Sequence, residues 1–436
     1  MLEKKFNTGE VMKKAFFLAF LFLFLSCTNV SRKKKEDILQ KLRSANQYEG
    51  SLIGGFAQKS ELYEDAEELM SLCSDSEILM LLNDKCPVVK CYAAKFIRDR
   101  NIEADWYNIL LKQAEDYTSV QDFSFCIISE CYAGDFILNS LFSKKLTDSE
   151  QSKMKLELVK NQSKLNFANS ILLGQDMSDE LYAATREWAL KGNESAIFSL
   201  AKYKKDEDLQ LIDSLKDKDI DLFFKACQYN TRESLKPFLE EYMRSIMPKE
   251  HIYNEWASFY KLLADYHDDF TKKIFDMAFF DKVTYNIREY HLKDIYYAIK
   301  DYLDGFYDDY LKILWTKHNL VDKEIIDYFL LTDKEFALEG LKTTLLNSNE
   351  YFFDTETLDY IIKAAYKNKI DLTEYFARAI KEDSVTTLEI YMKNMDCVQA
   401  GNKTIVNAVK ARLENESNRY VTGPLTKYLE DVSTEK

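Results

Sequence analysis

Asn83-Asp84-Lys85-Cys86-Pro87-Val88-Val89-Lys90-Cys91-Tyr92-Ala93-Ala94-Lys95-Phe96-Ile97 decides how this chain is read. Four residues of turn character lead into Pro87, and proline suits the first position of a helix because its missing N–H would find no intrahelical acceptor there. Val89, Ala93, Phe96 and Ile97 then fall at i, i+4, i+7 and i+8, a single apolar stripe of 3.6-residue period. Upstream, Glu77-Ile78-Leu79-Met80-Leu81-Leu82 reads as a first helix. Residues 76–98 therefore spell a helix, a tight turn and a second helix.

The same texture extends outward. From about residue 61 to Leu429, apolar positions recur at helical spacing in short blocks separated by a few polar or turn residues. Composition agrees: 11 glycines and 4 prolines in 436 residues are too few for the many tight turns of a sandwich or barrel. With 46% hydrophobic and 30% charged residues, the chain has material for a core and enough charge to solvate a large helical surface. No heptad persists for three or four repeats, which disfavours a coiled coil.

The 83–97 stretch resembles a HEAT repeat: an aspartate-bearing turn, proline, paired valines, a basic residue and paired alanines in the inner helix. Weaker echoes stand at Gly192-Asn193-Glu194-Ser195-Ala196-Ile197-Phe198-Ser199-Leu200-Ala201, followed by a short helix over Asp206 to Leu215, and around Phe336-Ala337-Leu338-Glu339-Gly340-Leu341. The resemblance implies an all-α fold, an α-solenoid of HEAT-like antiparallel helix pairs, over residues 47–249. The aromatic-rich residues 250–436 either continue the array or form a second helical lobe. In such an array each pair covers its apolar stripe only with the next pair, which leaves a long surface for the mass.

The amino end carries an address. Met12-Lys13-Lys14 precedes an unbroken apolar run, Ala15 to Leu25, which is far shorter than the about 20 residues a membrane-spanning helix needs. It reads as a cleaved export signal over residues 1–26, with Met12 as the alternative start. Its end, Phe24-Leu25-Ser26-Cys27, resembles the lipobox of bacterial lipoproteins, although Phe24 stands where leucine is usual and Leu25 where a small residue is frequent. The resemblance implies acylation of Cys27, which would become the first mature residue, and anchoring in a lipid membrane. With Thr28 and no acid after the cysteine, it implies the outer membrane of a Gram-negative cell envelope. Two acyl chains would hold the protein stably where one would not. Residues 27–46, with Arg32-Lys33-Lys34-Lys35, read as a polar tether.

Charge and cysteine content narrow the partners. Loss of residues 1–26, with four lysines and two glutamates, takes the formal charge from -14 to -16, and a field of that sign repels nucleic acid. Seven cysteines remain besides Cys27, an odd number that argues against a disulfide framework. Cys86/Cys91 and Cys126/Cys131 repeat a five-residue spacing, which on a helix would turn the two sulfurs apart and make a metal site unfavourable. These thiols read as buried small hydrophobes.

No catalytic template fits. The four histidines stand in no zinc-protease motif, and phosphate loops and nucleophile elbows are absent from the sequence. Asp265-Tyr266-His267-Asp268-Asp269 has cation-binding residue types but reads as a solvated helix end. Tyr290, Tyr296, Tyr297, Tyr302 and Tyr307 form a denser aromatic patch with Tyr285, His291, Phe306 and Tyr310. Such rings offer a flat apolar face and one hydroxyl, suited to holding a peptide or partner helix, and equally suited to packing between helices.

These features lead to the expectation of a membrane-anchored envelope lipoprotein acting as a protein- or peptide-binding helical-repeat scaffold. It would bind another envelope protein or peptide, with no enzymatic activity, cofactor, metal or nucleic acid. Two alternatives stay open: an envelope enzyme acting on polysaccharide through dispersed acids and tyrosines, and an immunity-type lipoprotein that blocks a toxin.

Overall fold

The computed structural model describes residues 32–174, 178–249, 252–281, 285–348 and 355–434. Cys27 and the signal-like segment lie outside them. The described chain is mostly helical, with one small sheet, and divides into two compact units, 1–222 and 223–436.

The first unit contains α1 (32–44), α2 (Glu61–Leu72), α3 (Asp75–Leu81), α4 (Pro87–Arg98), α5 (Trp106–Gln113), α6 (Ala133–Lys145), α7 (Asp148–Lys160), α8 (Asn166–Leu173), α9 (Asp179–Leu190), α10 (Glu194–Lys202) and α11 (Leu209–Asp213). The boundary falls within α12 (Ile220–Cys227). The second unit continues with α13 (Lys236–Ile246), α14 (Tyr253–Tyr266), α15 (Asp269–Phe280), α16 (Tyr285–Ile299), α17 (Asp308–His318), α18 (Lys323–Thr332), α19 (Lys334–Leu346), α20 (Thr355–Lys367), α21 (Thr373–Glu382), α22 (Val385–Lys393), α23 (Lys403–Leu413) and α24 (Arg419–Thr434).

The deciding stretch folds as its pattern requires. Pro87 opens α4, and Val88, Val89, Cys91, Tyr92, Ala93, Ala94 and Ile97 are all buried. The preceding α3 starts with a capping box, in which Ser74 accepts from the Glu77 N–H while the Glu77 carboxylate accepts from the Ser74 N–H. The dominant packing in both units is between near neighbours in sequence: α4 meets α6, α6 meets α8, and α8 meets α10, while α18, α19 and α20 contact one another.

The sheet is the main departure from an all-helical expectation. β1 (Gln47–Ile53), β2 (Gln58–Lys59), β3 (Ser119–Phe125) and β4 (Ile127–Tyr132) lie in the order β2-β1-β3-β4, with β1 parallel to β3 and the outer pairs antiparallel. Helices α2 to α5 form the crossover between the parallel strands. These stretches are rich in β-branched and aromatic residues, and only Tyr48 and Val120 among them are fully buried. Short half-exposed strands bury too little for a strong alternation to show. The α4 helix holds the sheet through Tyr92, whose hydroxyl donates to the Glu49 carbonyl at 3.0 Å and accepts from the Glu49 N–H at 3.1 Å.

Two further expectations change with the fold. The 32–44 part of the stretch read as a polar tether is helix α1, with Ile38 and Leu42 buried. Two of the four residues in its basic run are engaged: Lys35 pairs with Glu77 at 2.8 Å and Lys34 with Glu68. These pairs offset the unfavourable placement of cations at a helix N-terminus. Cys126 and Cys131 belong to a β-hairpin, so the helical-spacing argument applied to them does not describe their geometry. Cys126 is exposed, in contrast to the buried role expected of it.

Candidate functional site

The five tyrosines singled out in the sequence lie on or just after α16, and the fold separates them into two groups. Tyr290 and Tyr297 are 48% and 52% exposed, whereas Tyr296 and Tyr307 are buried and Tyr302 is half-buried. Tyr290 and Tyr297 are seven residues apart, two turns of helix, so they share one face of α16 about 10 Å apart along the axis. Half-exposed Lys293 stands between them on that face. The opposite face is apolar and covered, with Leu292, Ile295 and Ile299 fully buried.

Beneath this helix the aromatic groups hold the unit together. His291 is buried, stacked on Trp256 of α14 with centroids 4.1 Å apart and planes 4° from parallel, and its Nδ1 lies 2.7 Å from the Tyr260 hydroxyl. Tyr307 donates to the Ala264 carbonyl at 3.0 Å, and Tyr310 donates to Asp276 at 2.8 Å. Tyr302 donates to Asp265 at 2.5 Å, and the Lys261 ammonium sits 4.8 Å from its ring centroid. Burial, assisted by Asp265, pushes the Tyr302 hydroxyl well above the ordinary phenol range, so it remains a donor at neutral pH. Burial does the same to Tyr307 and Tyr310.

The acid-rich spot at 265–269 resolves into a helix junction. His267 ends α14 in the left-handed region at φ 50°, packs against Phe306 with ring centroids 4.2 Å apart and planes tilted by 30°, and has Nε2 3.2 Å from Asp304. Asp268 begins α15, accepting from the Thr271 N–H at 3.1 Å and pairing with Lys236 at 2.6 Å. Burial raises the Asp268 carboxyl, but Lys236 and the Thr271 N–H outweigh it and hold the group below the usual carboxylate range. Each acid here is committed to a tyrosine, lysine, histidine or helix end. Among the described residues no group of three or more His, Cys, Asp or Glu is placed to hold a metal ion, and no helix is long and apolar enough to cross a membrane.

The patch thus comprises a buried aromatic framework and one exposed face carrying Tyr290, Lys293 and Tyr297. Such a face can take up a peptide or helix by ring contact and hydroxyl hydrogen bonds. Sequence reasoning missed the supporting residues Trp256, Tyr260 and Lys261, and it read Asp265 as part of a solvated helix end instead of as the partner of Tyr302. The i, i+4 pairs Trp256/Tyr260 and Lys261/Asp265 on α14 were the available signal. It also missed the sheet, for which the available signals were the Gly54-Gly55 turn between β1 and β2 and the β-branched and aromatic content of residues 119–132. Comparison with family models, curated proteins and solved structures gives no match for this chain.

Proposed function

We propose that this chain is a lipid-anchored protein of the bacterial cell envelope, held in the outer membrane through Cys27, whose helical array is a HEAT-like solenoid that binds another envelope protein or peptide. The observation that supports it most is the packing of helices on partners one or two elements further along the chain, as in α4/α6/α8/α10 and α18/α19/α20. An array built that way offers a long surface and needs no catalytic centre. The Tyr290/Lys293/Tyr297 face of α16 is the contact surface for the partner.

Two measurements test the two halves of the reading. Metabolic labelling with an alkynyl palmitate should mark the wild-type protein and leave C27A unlabelled and free of the membrane fraction; a labelled C27A would remove the anchor. A photo-crosslinking residue at position 297 should give one discrete adduct in intact cells, and the same residue at exposed position 420 should not. Identical patterns at both positions would remove the α16 face as the binding surface.

A further inference from the structure

We infer that the open edge of β4 is a second binding site, which takes an extended cationic peptide as a fifth strand. This inference needs neither the acyl anchor nor the tyrosine face. Among the described residues no strand lies beyond β4 in the order β2-β1-β3-β4. The β3–β4 connection is a two-residue loop, Phe125-Cys126, closed by the pair Ser124 and Ile127. In a hairpin of that length the closing pair is hydrogen bonded and alternate pairs are not, so the N–H and C=O of Ile128 and Glu130 turn away from β3. An extended peptide supplies the complementary row of donors and acceptors.

The side chains at this edge lack the usual protection. Strand edges are ordinarily guarded by charges, lysine above all, by proline or by a bulge, and β4, Ile127-Ile128-Ser129-Glu130-Cys131-Tyr132, carries none of these except the single acid Glu130. Ile127 and Ile128 are 65% and 62% exposed. Phe125 is 59% exposed and sits at φ 55°, a left-handed conformation that costs a bulky residue energy and that glycine would adopt freely. The β1–β2 turn adds to the same end of the sheet: the Gly54 N–H donates to the Phe125 carbonyl, and neighbouring Phe56 is 92% exposed. An apolar rim therefore flanks the free backbone.

Charge selects the occupant. Residues 113–143 contain five acids and no Lys, Arg or His; Asp116 is paired with Lys90 and Asp135 is buried beneath α8, which leaves exposed Glu115 and Glu130 and half-exposed Asp122 open to solvent. The four strands carry Glu49, Asp122 and Glu130 against a single lysine, Lys59, which lies on β2 at the far edge. A second copy of the chain would bring the same acids, and a formal charge of -14, against this edge. The register places Glu49, Ile128 and Glu130 on one face and Ile127 on the other, so a strand alternating apolar and basic side chains meets the backbone with its basic row beside Glu130 and its apolar row beside Ile127.

The test uses the full chain and a synthetic peptide of about seven residues alternating lysine and valine, long enough to span β4. Hydrogen-exchange mass spectrometry should show the peptide protecting residues 127–132, and a glutamate–valine peptide leaving them unprotected. Glu130→Pro removes an outward N–H without touching a β3 hydrogen bond and should weaken the lysine–valine peptide about tenfold. Glu130→Lys should weaken it by a similar factor of about ten and flatten its salt dependence. Phe125→Gly should raise the melting temperature while weakening the peptide, a combination that loss of fold cannot produce. Protection elsewhere, equal binding of the glutamate–valine peptide, unchanged binding by all three variants, or peptide-independent protection of 127–132 that grows with protein concentration would each overturn the assignment.

Discussion

Replacing Gly340 with alanine should destabilise the second unit, against the ordinary preference of helices for alanine. Gly340 lies inside α19, where Gly→Ala would normally contribute about 1 kcal/mol of stability. A Cβ at this position would stand 2.8 Å from Cε2 and Cζ2 of Trp315, well inside the about 3.5–4.0 Å optimum for carbon contacts. The indole has no room to retreat: Trp315 is fully buried, Phe336 meets it edge-on at 5.4 Å, and its Nε1–H donates to Thr344 Oγ1 at 2.9 Å. Overpacking of a rigid site costs up to about 3 kcal/mol, so after the helical gain the net loss is about 2 kcal/mol. For a unit of this size that lowers its melting temperature by about 4–8 °C. Urea and thermal unfolding, with hydrogen exchange in α19 to locate the effect, would measure it. In a Trp315→Leu background the clash disappears, and the same Gly→Ala change should then stabilise, giving a coupling of about 3 kcal/mol. A rise in the urea midpoint for G340A in the wild-type background would refute the reasoning.

Glu77 gives a pH-dependent prediction. Hydrogen bonds from Lys35 and the Ser74 N–H lower its carboxyl to about 2. A carboxylate with a depressed folded pKa stabilises above the unfolded value of about 4.3 and loses that contribution as pH falls towards the folded value. The stability difference between wild type and E77Q should therefore be constant above about pH 5, shrink as pH falls from there towards about 2, and level off only below that value. Arg378→Met should cost about 3 kcal/mol in urea unfolding, because it strips the buried Asp383 of a partner 3.2 Å away. Burial already raises the Asp383 carboxyl, and carboxyl NMR should show it rising further in R378M. Among the described cysteines, exposed Cys126 should react with a maleimide first, and buried Cys91 and Cys227 only on unfolding. Cys131, pushed up to about 11 by burial and nearby acids, should react slowly at neutral pH.

The residues that announced themselves in the sequence are those whose local and tertiary roles coincide. Pro87 opens a helix by its own ring geometry, and Val89, Ala93 and Ile97 share a stripe wherever that helix packs. Tyr290 and Tyr297 were visible as aromatics, but their exposure was not. Tyr296 and Tyr307 have the same side chain and are buried, because the face a helix turns inward depends on what lies behind it. Composition does not distinguish an exposed tyrosine from a buried one.

The sequence by itself determined a predominantly helical chain, short helices with defined starts, and a strongly acidic balance. These follow from periodicity, capping and counted charge, which are local properties. Only the tertiary structure decided that β1 and β3 pair across about seventy intervening residues, that Lys34 and Lys35 engage Glu68 and Glu77, and that β4 lies at an edge. Each of those outcomes depends on groups distant in sequence, and their energies arise only when the chain closes long loops to bring them together.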